Sequence, residues 1–133
     1  KEWANLAGLR MNFPSSHHPV KSVHAMRFCC ALEDHQDALL RFSEAAFEAY
    51  FGDQRSLDDP AVLKAIADQA GFDGEALAAQ SILEATKDKL RANTQEAIDR
   101  GAFGSPTIFV DREFLYFGND QLPLVRQRIS RSE

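Results

Sequence analysis

A chain of 133 residues, 44% hydrophobic and 26% charged, has the size and composition of one ordinary globular domain. Its net charge of −5 and pI of about 5.3 argue against nucleic acid as the main partner. No run approaches the ~20 apolar residues of a membrane span, so no membrane partner is expected either.

The opening, Lys1-Glu2-Trp3-Ala4, reads as the middle of a helix rather than a signal peptide, and an initiator methionine is missing. Residues 1–8 predict the end of that helix, closed by Gly8. The stretch 10–19 holds Pro14, Pro19, Ser15, Ser16, His17 and His18 and predicts a loop. Its serines stand beside histidines, but sequence neighbours rarely adopt catalytic geometry and no Asp lies nearby to orient a ring. A polar loop is the plainer reading. His17, His18, His24 and His35 do not form a convincing metal set.

From Val20 the pattern turns helical, with Val20, Val23, Met26 and Cys30 at helical spacing and Phe28 and Leu32 widening the apolar face. The adjacent Cys29 and Cys30 fit neither a disulfide framework, nor a zinc site, nor a Cys-x-x-Cys pair. Two buried core thiols in a reduced, cytoplasmic protein are expected. A second helix is predicted over 36–51, carrying Leu39, Phe42, Ala46 and Tyr50 on one side and Leu40, Phe47 and Phe51 beside them; so much aromatic surface predicts a helix packed between other elements. Asp59 as N-cap, Pro60 at the first helical position and Gly71 beyond the last turn bound the next helix. Asp73 then caps a short helix over 74–80, and a longer one over 81–100 stops at Gly101.

The character changes after Gly101. Thr107-Ile108-Phe109-Val110 predicts a strand buried on both faces, Asp111-Arg112 a tight turn, and 113–117 a second strand. Asn119 or Asp120 is expected to cap a last helix carrying Leu122, Val125 and Ile129, with Pro123 tolerated in its first turn. Arg126, Arg128 and Arg131 complement the dipole at its end. Ser105-Pro106 is the sharpest local signal. A proline directly before a strand either begins it in trans or follows a cis bond. A cis bond would leave the N–H and C=O of Ser105 for an extended peptide laid alongside.

Gly101-Ala102-Phe103-Gly104-Ser105-Pro106-Thr107, followed by two strands and Phe117-Gly118-Asn119-Asp120, resembles the C-terminal half of the DsbA-like thioredoxin superfamily. More narrowly it resembles the 2-hydroxychromene-2-carboxylate isomerases and kappa-class glutathione transferases. Trp3-Ala4 on a helix and then Asn12-Phe13-Pro14 match that family's entry into its inserted helical domain. The resemblance implies an α/β, thioredoxin-like fold of the DsbA/kappa-class type with a large inserted helical domain. Residues 1–100 would be that domain and its connections, and 101–133 the C-terminal ββα part. The N-terminal βαβ part would precede Lys1.

The resemblance also implies a cis Ser105–Pro106 bond and glutathione as cofactor. Ser105 and Pro106 would grip its cysteinyl part, and Asn119 and Asp120 its γ-glutamyl end. Exposed N–H groups at a helix start favour the glutamyl carboxylate, and a carboxylate such as Asp120 can pair with the ammonium. Plain helix capping is the alternative for Asn119 and Asp120. His17 and His18 would line the pocket of an aromatic small-molecule substrate.

The family's catalytic serine lies after the first strand, upstream of Lys1, so no catalytic residue is expected within the chain, and the chain alone should be inactive. The implied activity is a glutathione-dependent isomerase acting on a 2-hydroxychromene-2-carboxylate-like compound, with a homodimer as the assembly considered. A kappa-like glutathione transferase, a DsbA-type thiol-disulfide oxidoreductase and a non-catalytic helical fragment are the alternatives.

Overall fold

The computed structural model describes residues 1–131, which form two compact units, one over Lys1–Leu90 and a second that begins at Arg91.

The first unit is helical. It contains α1 (Glu2–Leu6), α2 (Val23–Leu32), α3 (Gln36–Phe47) with a π-helical turn (Glu48–Gly52), α4 (Pro60–Gln69), α5 (Gly74–Ser81) and the start of α6 (Glu84–Asp99). The local punctuation acts as its chemistry dictates. Asp59 Oδ1 accepts from Ala61 N–H at 2.8 Å and Asp73 Oδ1 from Ala76 N–H at 2.9 Å. Each carboxylate satisfies a donor that the first helical turn leaves orphaned. Gly8, Gly71 and Gly101 take left-handed φ values of 67°, 82° and 82° after their helices.

The core gathers Ala25, Phe28 and Leu32 of α2, Phe42 and Ala46 of α3, Ala49 and Tyr50 of the π turn, Leu63, Ile66 and Ala67 of α4, and Leu77 of α5. The Phe28 and Phe42 rings stack at 5.5 Å, and each buried phenyl contributes roughly 2–3 kcal/mol.

The sequence expectations fail here in three places. α2 begins at Val23, not at Val20, and its inward arc is Ala25, Phe28 and Leu32, while Val23 and Met26 stay exposed. The two faces are similarly apolar, so only tertiary packing decides between them. α3 buries one side only, leaving Leu40 and Phe47 in solvent. Its hydrogen bonding slips to π after Phe47, and Asn12 holds the far end of that turn from across the loop: its backbone N–H donates to Phe51 O and its Nδ2 to Gly52 O, both at 2.7 Å. Ser81 belongs to α5 rather than to the long helix. Its hydroxyl bonds back to Ala78 O at 2.8 Å, and Thr86 Oγ1 donates to Gln80 O at 2.8 Å across the break.

The second unit is a ββα arrangement. β1 (Thr107–Val110) and β2 (Phe114–Phe117) pair antiparallel, Thr107 opposite Phe117 and Val110 opposite Phe114. A 3-10 turn (Asn119–Gln121) leads into α7 (Leu122–Ile129). Asp111 and Arg112 both adopt positive φ, 55° and 61°, and Glu113 N–H closes the turn on Val110 O at 3.3 Å. Glu113 is thereby drawn into the turn, and the second strand starts at Phe114.

Strand alternation sorts the side chains onto two faces. α7 lies over the face of Ile108, Val110, Phe114 and Tyr116, where Val110 and Val125 are buried and the Arg128 guanidinium sits 3.7 Å from the Phe114 ring centroid. Thr107, Ile108 and Phe109 are only half-buried, because β2 is the one strand that pairs with β1 among the described residues. The expectation of a strand buried on both faces is not met within these two strands. No helix among the described residues is long and apolar enough to cross a membrane.

Candidate functional site

The hairpin of the second unit folds its two ends together, and those ends are the two sequence motifs. Gly118 N–H donates to Pro106 O at 3.0 Å, one step beyond the Thr107–Phe117 pair. The Phe117 ring closes over Gly104, where a Cβ would lie 2.7 Å from Phe117 Cε2; only glycine permits that approach. Phe103 packs on the same ring, with centroids 4.7 Å apart. Thr107 Oγ1 donates to Gly104 O at 2.6 Å, pinning the bend before the strand. The Ser105–Pro106 bond is cis, as the resemblance implies. Ser105, Pro106, Asn119 and Asp120 are all exposed at this one end of the hairpin.

Gly118 sets the direction of the second motif. Its φ is 101°, and a Cβ there would strike Asp120 Oδ1. The Asp120 side chain thus folds back over Gly118, and Oδ2 accepts from Gln121 Nε2 at 2.9 Å. Neither Asn119 nor Asp120 caps a helix: Gly118 and Gln121 hold the N-cap positions, with no side-chain cap bond at either. The capping alternative therefore fails, because the 3-10 turn places both residues inside the element rather than ahead of it. Ser105's backbone makes no hydrogen bond to other described residues. Exposed carboxylate, exposed amide and an unpaired strand edge converge here. Such an arrangement can hold an extended, zwitterionic peptide-like ligand: main chain along the strand edge, ammonium on Asp120.

His17 and His18 lie in the first unit, on the 10–19 loop. Ser15 is buried and its Oγ accepts from His17 N–H at 3.2 Å, while Ser16 N–H donates to Gln54 Oε1 at 3.1 Å. Arg10 ties the loop's start to Glu48 at 2.7 Å and Asp53 at 3.0 Å; those acids in turn raise the guanidinium's pKa by hydrogen bonding and charge. His18 meets the Phe13 ring edge-on at 5.2 Å, and its Nδ1 is 3.2 Å from Tyr50 Oη. Phe13, Phe51 and Phe47 continue the aromatic surface, at 6.4 Å and 6.2 Å between successive rings. His18 thus joins an aromatic cluster, and His17 makes no ring contact in it. Sequence reasoning missed Tyr50 as its partner. Tyr50 carries the helical core pattern, and nothing in that pattern marks its hydroxyl.

Cys29 is half-buried, 3.9 Å from Ser43 Oγ, and Cys30 is buried. Burial pushes the Cys29 thiol above its usual range, with Ser43 opposing. That is the reverse of an activated thiolate, and the sulfur packs as core. No group of three or more His, Cys, Asp or Glu side chains is arranged for a metal ion among the described residues.

A family model for the DSBA-like thioredoxin domain matches residues 1–130. A 2-hydroxychromene-2-carboxylate isomerase of Sphingobium xenophagum is 33% identical over 87 residues, 65% of this chain and 44% of its own. One from Pseudomonas putida is 23% identical over 131 residues, 98% of this chain and 62% of its own. The solved structure of a selenomethionyl 2-hydroxychromene-2-carboxylate isomerase superimposes with a TM-score of 0.73 at 26% identity, covering 98% of this chain and 62% of that one. The chain spans less than two-thirds of the length of each.

Proposed function

The chain belongs to the DSBA-like thioredoxin domain family, and on that premise we propose that it is the glutathione-holding part of an isomerase acting on an aromatic 2-hydroxychromene-2-carboxylate-like compound. The observation that carries the reading is the Gly118 N–H to Pro106 O bond of 3.0 Å, which joins the two motifs into one exposed surface. The names of the relatives support an isomerase. Glutathione is a peptide with an extended main chain, a thiol in the middle and an amino acid zwitterion at one end, and the residues present fit it.

In this reading the Ser105 backbone, unbonded within the described residues, pairs with the cysteinyl main chain beside Pro106. Asp120 takes the γ-glutamyl ammonium and Asn119 its carboxylate. Glutathione bound there would supply a thiol that adds reversibly to the substrate and leaves again, nucleophilic catalysis by a cofactor. The residue that stabilises the thiolate is a serine expected upstream of Lys1, so this chain holds and orients while another segment activates. His18, with Phe13 and Phe47, lies against the aromatic substrate in this proposal, and His17 stands beside it.

Calorimetric titration of the full-length protein with glutathione tests the reading. Asp120→Ala should weaken binding by about 1–3 kcal/mol, the cost of a lost hydrogen bond to a charged group. Unchanged affinity would remove Asp120 from the site. Isomerase activity on a hydroxychromene carboxylate, measured beside conjugation of an aryl halide, separates the isomerase from a transferase.

A further inference from the structure

Tyr50 is buried in the core of the helical unit, yet its phenolic oxygen is polar and must be satisfied. Its one hydrogen-bond partner among the described residues is His18 Nδ1, 3.2 Å away. A phenol can donate or accept. If Nδ1 carried the proton and donated, the buried Tyr50 hydroxyl hydrogen would be left without an acceptor, which is costly inside a core. If Tyr50 donates, both groups are satisfied, and the imidazole proton must reside on Nε2. His18 is itself exposed, and no described residue bonds its Nε2.

The surroundings define what that donor can meet. The Phe13 ring, 45% exposed, stands edge-to-face with His18, and Phe47, 64% exposed, stacks on Phe51 further along. Between Glu2 and Glu33 the chain has no carboxylate. Glu48 of the nearby π turn and Asp53 directly after it are engaged by Arg10. An anionic oxygen therefore meets little repulsion here, and a flat ring finds exposed aromatic surface.

We propose that Tyr50 is a positioning residue: its buried hydroxyl donates to His18 Nδ1, holds the imidazole as the Nε2–H tautomer, and presents that N–H beside Phe13 to an oxygen of a planar aromatic carboxylate. The identity of the ligand rests on the isomerase reading above; the tautomer does not.

Nitrogen-15 spectra of the histidine rings in the ligand-free full-length protein read the first half directly, with His18→Gln assigning the signals. In wild type, His18 should be the Nε2–H tautomer, with its Nδ1 resonance displaced by an accepted hydrogen bond. In Tyr50→Phe, which keeps the ring and the packing, that resonance should return to the position of a free acceptor. An Nδ1–H tautomer in wild type, or an Nδ1 signal indifferent to Tyr50→Phe, overturns the assignment.

Kinetics read the second half. Tyr50→Phe should raise KM for the aromatic carboxylate about 2- to 10-fold, the worth of the neutral hydrogen bond that holds the ring, and His18→Gln about 10-fold or more, the worth of a hydrogen bond to a charged oxygen, while glutathione affinity stays unchanged. An unchanged KM in both variants refutes the ligand role. Should the full-length protein fail to bind glutathione, the isomerase reading falls, and the ring spectra still decide the Tyr50–His18 arrangement.

Discussion

At Gly118 one residue meets three demands: a φ of 101°, a backbone donor aimed at Pro106 O, and room for the Asp120 carboxylate. The donor is common to every residue but proline, whereas an L side chain meets the other two demands only at a cost, since this region of φ costs about 1–3 kcal/mol outside glycine. Gly118→Ala should therefore lower the unfolding free energy by about that amount and, because the new methyl displaces Asp120, also weaken glutathione binding. Paired thermal melts and titrations of the full-length variant check both. A destabilised protein with wild-type glutathione affinity would mean that the folded-back Asp120 is not the binding conformation. Gly104 shows the same logic with a ring in place of a carboxylate, since its missing Cβ is the seat of Phe117. Both glycines are conspicuous in the sequence as members of a motif, but only the fold shows what each makes room for. Tyr50 is the opposite case: its partner lies 32 residues away in sequence, and no local pattern announces such a pairing.

At the scale of elements, signals confined to a few neighbouring residues were legible. Asp59-Pro60 and Asp73 cap as their chemistry requires, and the hairpin brings its two motifs, close in sequence, to one end. What escaped depends on distant partners. The inward face of α2 is chosen by Phe42 and the α4 core, the π turn is held by Asn12, and the 3-10 turn that frees Asn119 and Asp120 from capping hinges on Gly118.

The hairpin turn was recognisable, and its cost was not. Asp111 and Arg112 both sit in the left-handed region, where a residue with a side chain costs about 1–2 kcal/mol. Asp tolerates this better than Arg. Turns with two such residues favour glycine at the second position. Arg112→Gly relieves the strain, partly offset by the greater freedom of glycine in the unfolded chain. A net gain of about 0.5–1 kcal/mol is expected, seen as a higher urea midpoint at unchanged m-value. A lower midpoint would show that Arg112 makes a stabilising interaction outweighing its backbone strain.

For the molecule as a whole, the two units are unequally built. The helical unit encloses Phe28, Phe42, Leu63 and Ile66 almost completely, the last three at 0%, 0% and 1% exposure. In the ββα unit only Val110 and Val125 fall below one-tenth exposure among the described residues. α6 buries no residue at all. Ion pairs along it, such as Glu84–Lys87 at 3.3 Å, Lys89–Asp34 at 3.1 Å and Glu96–Arg100 at 3.1 Å, lie at the surface and are worth little. Local opening is governed by how much apolar contact must be broken, so opening should be far easier in the second unit. Native-state hydrogen exchange on this chain should find the amides of Leu63, Ile66 and Ala67 in the slowest class. Those of the β1–β2 ladder and of α6 should exchange at least about tenfold faster, a difference of 1.4 kcal/mol or more in opening free energy. Equal protection in α4 and the hairpin would show that the described packing understates what holds the ββα unit. The expected gradient also suits the division of labour proposed for the chain, because the face proposed to receive glutathione lies on the unit with the smaller core. Ligand binding to that native face should then slow exchange in the hairpin before it slows exchange in α4.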